Sequence, residues 1–266
     1  MERKVLRESL SGTASERGAS GAAPLLILLV LTALFSGCGA ANQELKTRDP
    51  QELYSTALTA YQADRFDEAE KTFKTLLEEH PLSPHAFEAE LMLGDVSFAA
   101  EKYEEAVSYY TSFVALHPGH PRAPYALFQK GMSLFKDVLS IDRDQTSTRK
   151  ALFSFEDLTA AYPDSPYAGK ARELIGFLKR RLAESEMYVA RFYFKGRNYK
   201  GALARFRDIL KNYPEAGLTD ETLYYIGESY INLGEDKLAR DAFTTLITDF
   251  PESPYVKSAR EKLKEG

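Results

Sequence analysis

Beyond Pro50, apolar residues return three and four positions apart, the spacing of amphipathic helices. A stricter beat is laid over that spacing five times. It consists of an alanine, an aromatic residue four positions later, and a proline eight beyond the aromatic. The copies are Ala69-Phe73-Pro81, Ala106-Tyr110-Pro118, Ala151-Phe155-Pro163, Ala202-Phe206-Pro214 and Ala239-Phe243-Pro251. Twelve residues before four of these alanines stands another small residue: Ala57, Gly94, Ala190 and Gly227. In the third copy the small residue, Gly131, lies twenty residues ahead of Ala151. Small residues let two helices approach closely, the aromatic wedges between them, and proline stops the second helix. The beat therefore predicts five helix pairs, the third carrying an eight-residue insertion.

Each copy resembles a tetratricopeptide repeat, and the fold expected is all-α: an α-solenoid of about five tetratricopeptide-like helix pairs with a C-terminal capping helix. The closing prolines are 37, 45, 51 and 37 residues apart. The 45-residue interval contains a stretch from Asp137 to Ser147 rich in helix-leaving residues. The 51-residue interval contains no proline between Pro166 and about Lys195. There Ala171, Leu174, Leu178, Leu182, Tyr188 and Phe192 keep roughly helical spacing, which predicts one helix about four turns longer than its counterparts. Ser83-Pro84, Ser165-Pro166 and Ser253-Pro254 are read as capping serines before a first-turn proline, and Thr219 as a cap backed by Asp220 and Glu221. The last of the Ser-Pro pairs is expected to start the capping helix, over 253–264.

Residues 1–37 read as a secretory leader, with a net charge of +1 and an apolar run from Leu25 to Phe35 that is too short to span a bilayer. The run ends at Ser36-Gly37-Cys38, which resembles a bacterial lipobox and makes Cys38, the only cysteine, the expected lipidation site. Gly39 follows, where aspartate would signal retention in the inner membrane, so the periplasmic face of the outer membrane is expected. Residues 38–49 read as the lipidated cysteine and a flexible tether, and 50–266 as the repeats. The remainder beyond the leader carries a net −6 with no long basic run, which argues against a nucleic-acid partner.

The usual relation of groove positions to the small packing residue assigns a concave lining. It consists of Tyr54, Leu58 and Tyr61 in the first repeat; Leu91, Asp95 and Phe98 in the second; and Tyr125, Phe128, Met132 and Phe135 in the third. Met187, Arg191, Phe194, Tyr224, Glu228 and Ile231 continue it with a more mixed character. An aromatic groove of this kind suits an extended peptide. The competing reading is that these rings meet neighbouring repeats and belong to the core.

The segments HPGHPRAPYALFQKGMSLF (117–135), IDRDQTSTRKALFSFEDL (141–158) and YPDSPYAGKARELIGFLKRRLAESEMYVARFY (162–193) resemble the BamD family of outer-membrane lipoproteins. The resemblance implies a lipid-anchored scaffold of the machinery that inserts β-barrel proteins into the outer membrane. It would bind the periplasmic domains of a BamA-like insertase through its C-terminal repeats, sit beside other assembly lipoproteins, and receive unfolded outer-membrane proteins in its N-terminal groove. Arg205 and Lys211, in ARFRDILKNYP (204–214), fall at the family's basic partner-binding positions. The alternative is a periplasmic tetratricopeptide adaptor of cell-division or peptidoglycan machinery, whose repeats would be evenly spaced.

Catalytic and metal chemistry find no support in the sequence. His80, His85, His117 and His120 lie in the first two inter-repeat turns without a cysteine or carboxylate at ligand spacing. Asp142-x-Asp144 starts like a calcium loop but has Ser147 at position six and Phe153 at position twelve. No phosphate-binding glycine loop, nucleophile elbow or HExxH occurs. No cofactor and no enzymatic activity are expected.

Overall fold

The computed structural model describes residues 48–265; the leader and Cys38 lie outside the described residues. Among those described, every regular element is a helix: α1 (Pro50–Gln62), α2 (Phe66–Glu79), α3 (Ala86–Ala99), α4 (Tyr103–Leu116), α5 (Ala123–Lys136), α6 (Thr146–Ala161), α7 (Ala168–Lys195), α8 (Tyr199–Asn212), α9 (Thr219–Leu233), α10 (Asp236–Asp249) and α11 (Val256–Glu265). The principal packing is between sequential neighbours, each helix lying against the one before and the one after. That is the quasi-one-dimensional stacking of a solenoid: five helix pairs and a cap.

The beat marks where the pairs close. Ala69, Phe73, Ala106, Tyr110, Ala151, Phe155, Ala202, Phe206, Ala239 and Phe243 are all buried. A Cβ added at Gly131 would lie 2.5 Å from the Phe155 ring, and one at Gly94 would lie 2.6 Å from Tyr110. The glycines are thus dictated by the rings that fill the space opposite them. In four pairs the turn between the two helices is tight and passes through one left-handed residue: Asp64, Glu101, Arg197 or Gly234.

Helix ends follow local chemistry, with one correction to the expected starts. Asp49 caps α1, its Oδ1 accepting from the backbone N–H of Gln51 at 2.8 Å, so the end of the expected tether is already part of the fold. Arg48 joins it there, its carbonyl accepting from His80 Nε2 at 2.6 Å. The Ser-Pro pairs, by contrast, do not start helices. Helices α3, α7 and α11 begin at Ala86, Ala168 and Val256, two residues past each proline. The Ser83 carbonyl accepts from Ala86 N and the Ser83 hydroxyl from His85 N, so Ser-Pro forms a hydrogen-bonded turn that delivers the chain into the helix. Thr219 is likewise the first helical residue of α9 and makes no capping bond to its backbone; its hydroxyl donates to the Pro214 carbonyl.

The two irregular intervals become an insertion loop (137–145) and the 28-residue α7, twice the 14 residues of α8. At 1.5 Å per residue α7 is about 42 Å long. Its N-terminal half gives Ala171 and Leu178 to the core shared with Phe155, and its C-terminal half gives Ala183, Met187 and Ala190 to the core around Phe206 and Phe243. Tyr188 and Phe192, on the same helix, stay exposed, Phe192 at 72 %. No helix among the described residues is long and apolar enough to cross a membrane.

Candidate functional site: an aromatic lining around a buried carboxylate

The N-terminal three repeats bring most of the expected lining together. Tyr54, Leu58, Tyr61, Phe98, Tyr125, Phe128, Met132 and Phe135 are all half-buried, resting on the helix-pair cores with part of each side chain accessible. Leu91 has to be removed from the lining. It is 0 % exposed, enclosed with Ala106, Tyr110, Phe113 and Ala126, and has no surface to offer a ligand. The lining rings also contact one another's repeats. Tyr54 stacks on His85 with centroids 5.1 Å apart, Phe128 on Tyr167 at 5.4 Å, and Phe135 meets Phe177 at 5.7 Å. These side chains are core on one side and surface on the other.

Beneath them lies Asp95, 8 % exposed. Its Oδ1 accepts from the Tyr110 hydroxyl at 2.7 Å and from the Tyr125 hydroxyl at 2.8 Å. Gln129 Nε2 donates in turn to the Tyr125 hydroxyl at 3.1 Å. One carboxylate thus links α3, α4 and α5. Burial raises its pKa, and the two phenolic donors oppose that rise. Burial also pushes up Tyr110 and Tyr125, with the negative charge of Asp95 adding to it. At the rim, Arg122 lies over the Tyr125 ring, 4.8 Å from its centroid, and pairs with Glu88 at 3.1 Å.

The sequence reading placed Asp95 among the lining residues but missed the network. Two signals were available: a charged residue inside the apolar run LMLGDVSF, and tyrosine at one beat position where the other four carry phenylalanine. The hydroxyl of Tyr110 is the partner that a buried aspartate requires.

The C-terminal lining is spoken for within the chain. Met187 is buried at 3 % exposure. Arg191 pairs with Glu221 and lies over Tyr225, against which Phe194 also packs. Tyr224 stacks on Tyr255, and Glu228 faces Lys262 of the cap at 3.9 Å. Ile231 borders a cleft of about 330 Å³ under α11, with Phe243 and Leu263. Of the two expected partner-binding residues, Arg205 is half-exposed and pairs with Glu186 of α7 at 3.1 Å, while Lys211 is exposed in the last turn of α8, where a cation suits the helix dipole.

The insertion loop is held by groups the sequence reading did not single out. Arg181 Nε donates to the Leu139 carbonyl and the Ser185 hydroxyl to the Ile141 carbonyl, both from α7. From within the loop, buried Gln145 donates to the carbonyls of Ser140 and Arg143.

The four turn histidines have neighbours of their own. Beyond the His80 and His85 contacts above, His117 Nε2 lies 2.7 Å from a Glu90 carboxylate oxygen and His120 Nδ1 accepts from Arg122 N. Among the described residues no three His, Cys, Asp or Glu side chains gather where they could hold a metal ion.

Residues 46–243 match the model of the YfiO family, described as outer membrane lipoprotein. A relative from Rickettsia prowazekii, named outer membrane protein assembly factor BamD, is 30 % identical over 90 % of this chain and 96 % of its own length. One of the same name from Caulobacter vibrioides is 27 % identical over 90 % of this chain and 79 % of its own. Among solved structures, the TPR2AB-domain:pHSP90-complex of yeast Sti1 is similar with a TM-score of 0.44 and 15 % identity, covering 81 % of this chain and 84 % of that one.

Proposed function

The chain belongs to the YfiO family of outer membrane lipoproteins, and from that premise we propose that it is a lipid-anchored, non-catalytic scaffold of outer-membrane β-barrel assembly. The observation that carries the reading is the family match across four repeats and into the fifth, joined to relatives named as assembly factors. Cys38 is the acylated residue, and several acyl chains hold the protein at the periplasmic face of the outer membrane. The leader is removed, and residues 39–47 form the tether that precedes α1.

The two halves of the solenoid take different work. Half-buried rings from Tyr54 to Phe135 receive an extended, aromatic-bearing segment of an unfolded barrel protein. The fourth repeat holds the periplasmic domains of the BamA-like insertase. Lys211 and Arg205 supply positive charge there, and exposed Tyr188 and Phe192 supply the aromatic surface that interface hot spots favour. Other assembly lipoproteins join the same complex. Catalysis is not part of this reading, since its work is done by differential affinity.

Affinity purification of the full chain from solubilised membranes tests it. Recovery of the barrel-forming insertase, lost when Phe192 and Lys211 are both replaced by Glu, is the expected result. Recovery of division or wall-synthesis enzymes without the insertase would sink the reading in favour of an adaptor of that machinery.

A further inference from the structure

We propose that Asp95 sets the charge selectivity of the N-terminal groove, which admits a neutral or cationic peptide side chain between its aromatic rings and rejects an anionic one. This rests on the peptide-groove reading above and adds the class of side chain that the groove takes.

The geometry supplies a fixed negative charge under an apolar lining. Asp95 is more than nine-tenths buried, and its two partners are neutral hydroxyls at 2.7 and 2.8 Å, which orient the carboxylate without cancelling its charge. The charged and titratable groups around it come from every helix that faces it. They are Tyr54 and Tyr61 from α1, Glu88 on α3 itself, Tyr110 from α4, and Arg122 and Tyr125 at the start of α5. Arg122 is the one cation in that set, and Glu88 at 3.1 Å offsets it. Towards the edges of the lining, Lys136 lies over the Phe98 ring, 5.9 Å from its centroid, and Asp64 acts on Tyr61. At the centre the Asp95 carboxylate stands in surroundings of low polarisability, where Coulomb forces are several-fold stronger than in water.

The groove's own tyrosines register this field. Tyr61, Tyr110 and Tyr125 hold their protons more tightly than usual, through burial first and the Asp95 charge next, and Tyr54 does so through burial and Glu88, with Asp95 adding a smaller share. A phenolate formed there and a peptide carboxylate placed there meet the same repulsion. A peptide cation meets attraction, as Arg122 over Tyr125 already shows within the chain. A buried charge that costs the wrong ligand more than it helps the right one is a standard route to specificity.

The test uses the full-length chain in detergent and three end-blocked peptides that differ only in a central residue, lysine, glutamine or glutamate, flanked by aromatic residues. Fluorescence anisotropy at neutral pH is expected to give roughly tenfold weaker binding of the glutamate peptide than of the lysine peptide, about 1.4 kcal/mol. In Asp95→Asn, which retains an oxygen acceptor for the tyrosines, that ratio should fall to about twofold or less, with the glutamine peptide bound as before. Equal binding of the three peptides by the unaltered protein overturns the inference, whether or not the variant folds. So does a tenfold ratio that survives in folded Asp95→Asn. If none of the peptides binds, the groove reading itself fails and takes this inference with it.

Discussion

The Nε of Arg181 donates to the backbone carbonyl of Leu139 at 3.0 Å, forty-two residues away in sequence, and so fastens the insertion of the third repeat to the long helix of the fourth. Ser185, one turn further along α7, repeats the arrangement on the Ile141 carbonyl at 2.7 Å. The two departures from even repeat spacing are therefore one device: the extra length of α7 provides a wall for the extra loop. Replacing Arg181 with Ala removes a charge-assisted bond at a partly accessible site, worth about 1 kcal/mol. Hydrogen exchange is expected to accelerate over 139–145 while the first two repeats keep their protection. Unchanged exchange in the loop would show that Gln145 and Ser185 suffice.

Two glycines should respond to alanine in opposite ways. At Gly131 the new Cβ would lie 2.5 Å from Phe155, whose ring is backed by Phe128, so overpacking dominates and about 1–3 kcal/mol of stability is lost. At Gly176, in the interior of α7, no atom stands within 4 Å of the added Cβ. There the helix propensity of alanine should win, raising stability by up to about 1 kcal/mol. Urea midpoints for the pair measure both, and equal shifts would contradict the close approach at Gly131.

Asp95 makes a prediction about pH. Its folded pKa lies above the ordinary aspartate value, so the folded chain binds this proton more tightly than the unfolded chain does. The stability that the proton confers is complete below the unfolded pKa and is lost as pH rises through the folded one. Asp95→Asn, which cannot ionise, escapes that loss. Relative to the unaltered protein the variant should therefore gain stability between acid and neutral pH, by about 1.4 kcal/mol for each unit of elevation. Denaturation curves at the two ends of the range decide it, and a relative loss would reverse the sign.

Cys38→Ala should move the protein from the membrane fraction to the soluble fraction after osmotic shock, since in the proposed function that one residue carries the whole anchor. Unchanged sedimentation with membranes would reject acylation at that position.

The fold was readable because its tightest contacts use residues with few substitutes. Only small side chains fit opposite Phe155 and Phe243, and only proline both ends a helix and forces the residue before it out of helical geometry. The ends of α3, α7 and α11 were less readable, since Ser-Pro serves a cap and a turn equally well and the backbone bond from Ala86 to Ser83 decides between them. The site was readable as a set of rings but not as a network. Asp95 finds its partners fifteen and thirty residues away, beyond any helical period, and Leu91 shares the spacing of its accessible neighbours while lying under them.

Solenoids that stack only on their neighbours can lose end repeats one at a time, because little couples distant units. The 28-residue α7 removes that freedom at the centre of this one. Its two halves belong to two separate apolar cores, and neither core can open without stripping the same helix of half its burial. The third and fourth repeats are thereby joined through one helix, so their cores should open together rather than one at a time.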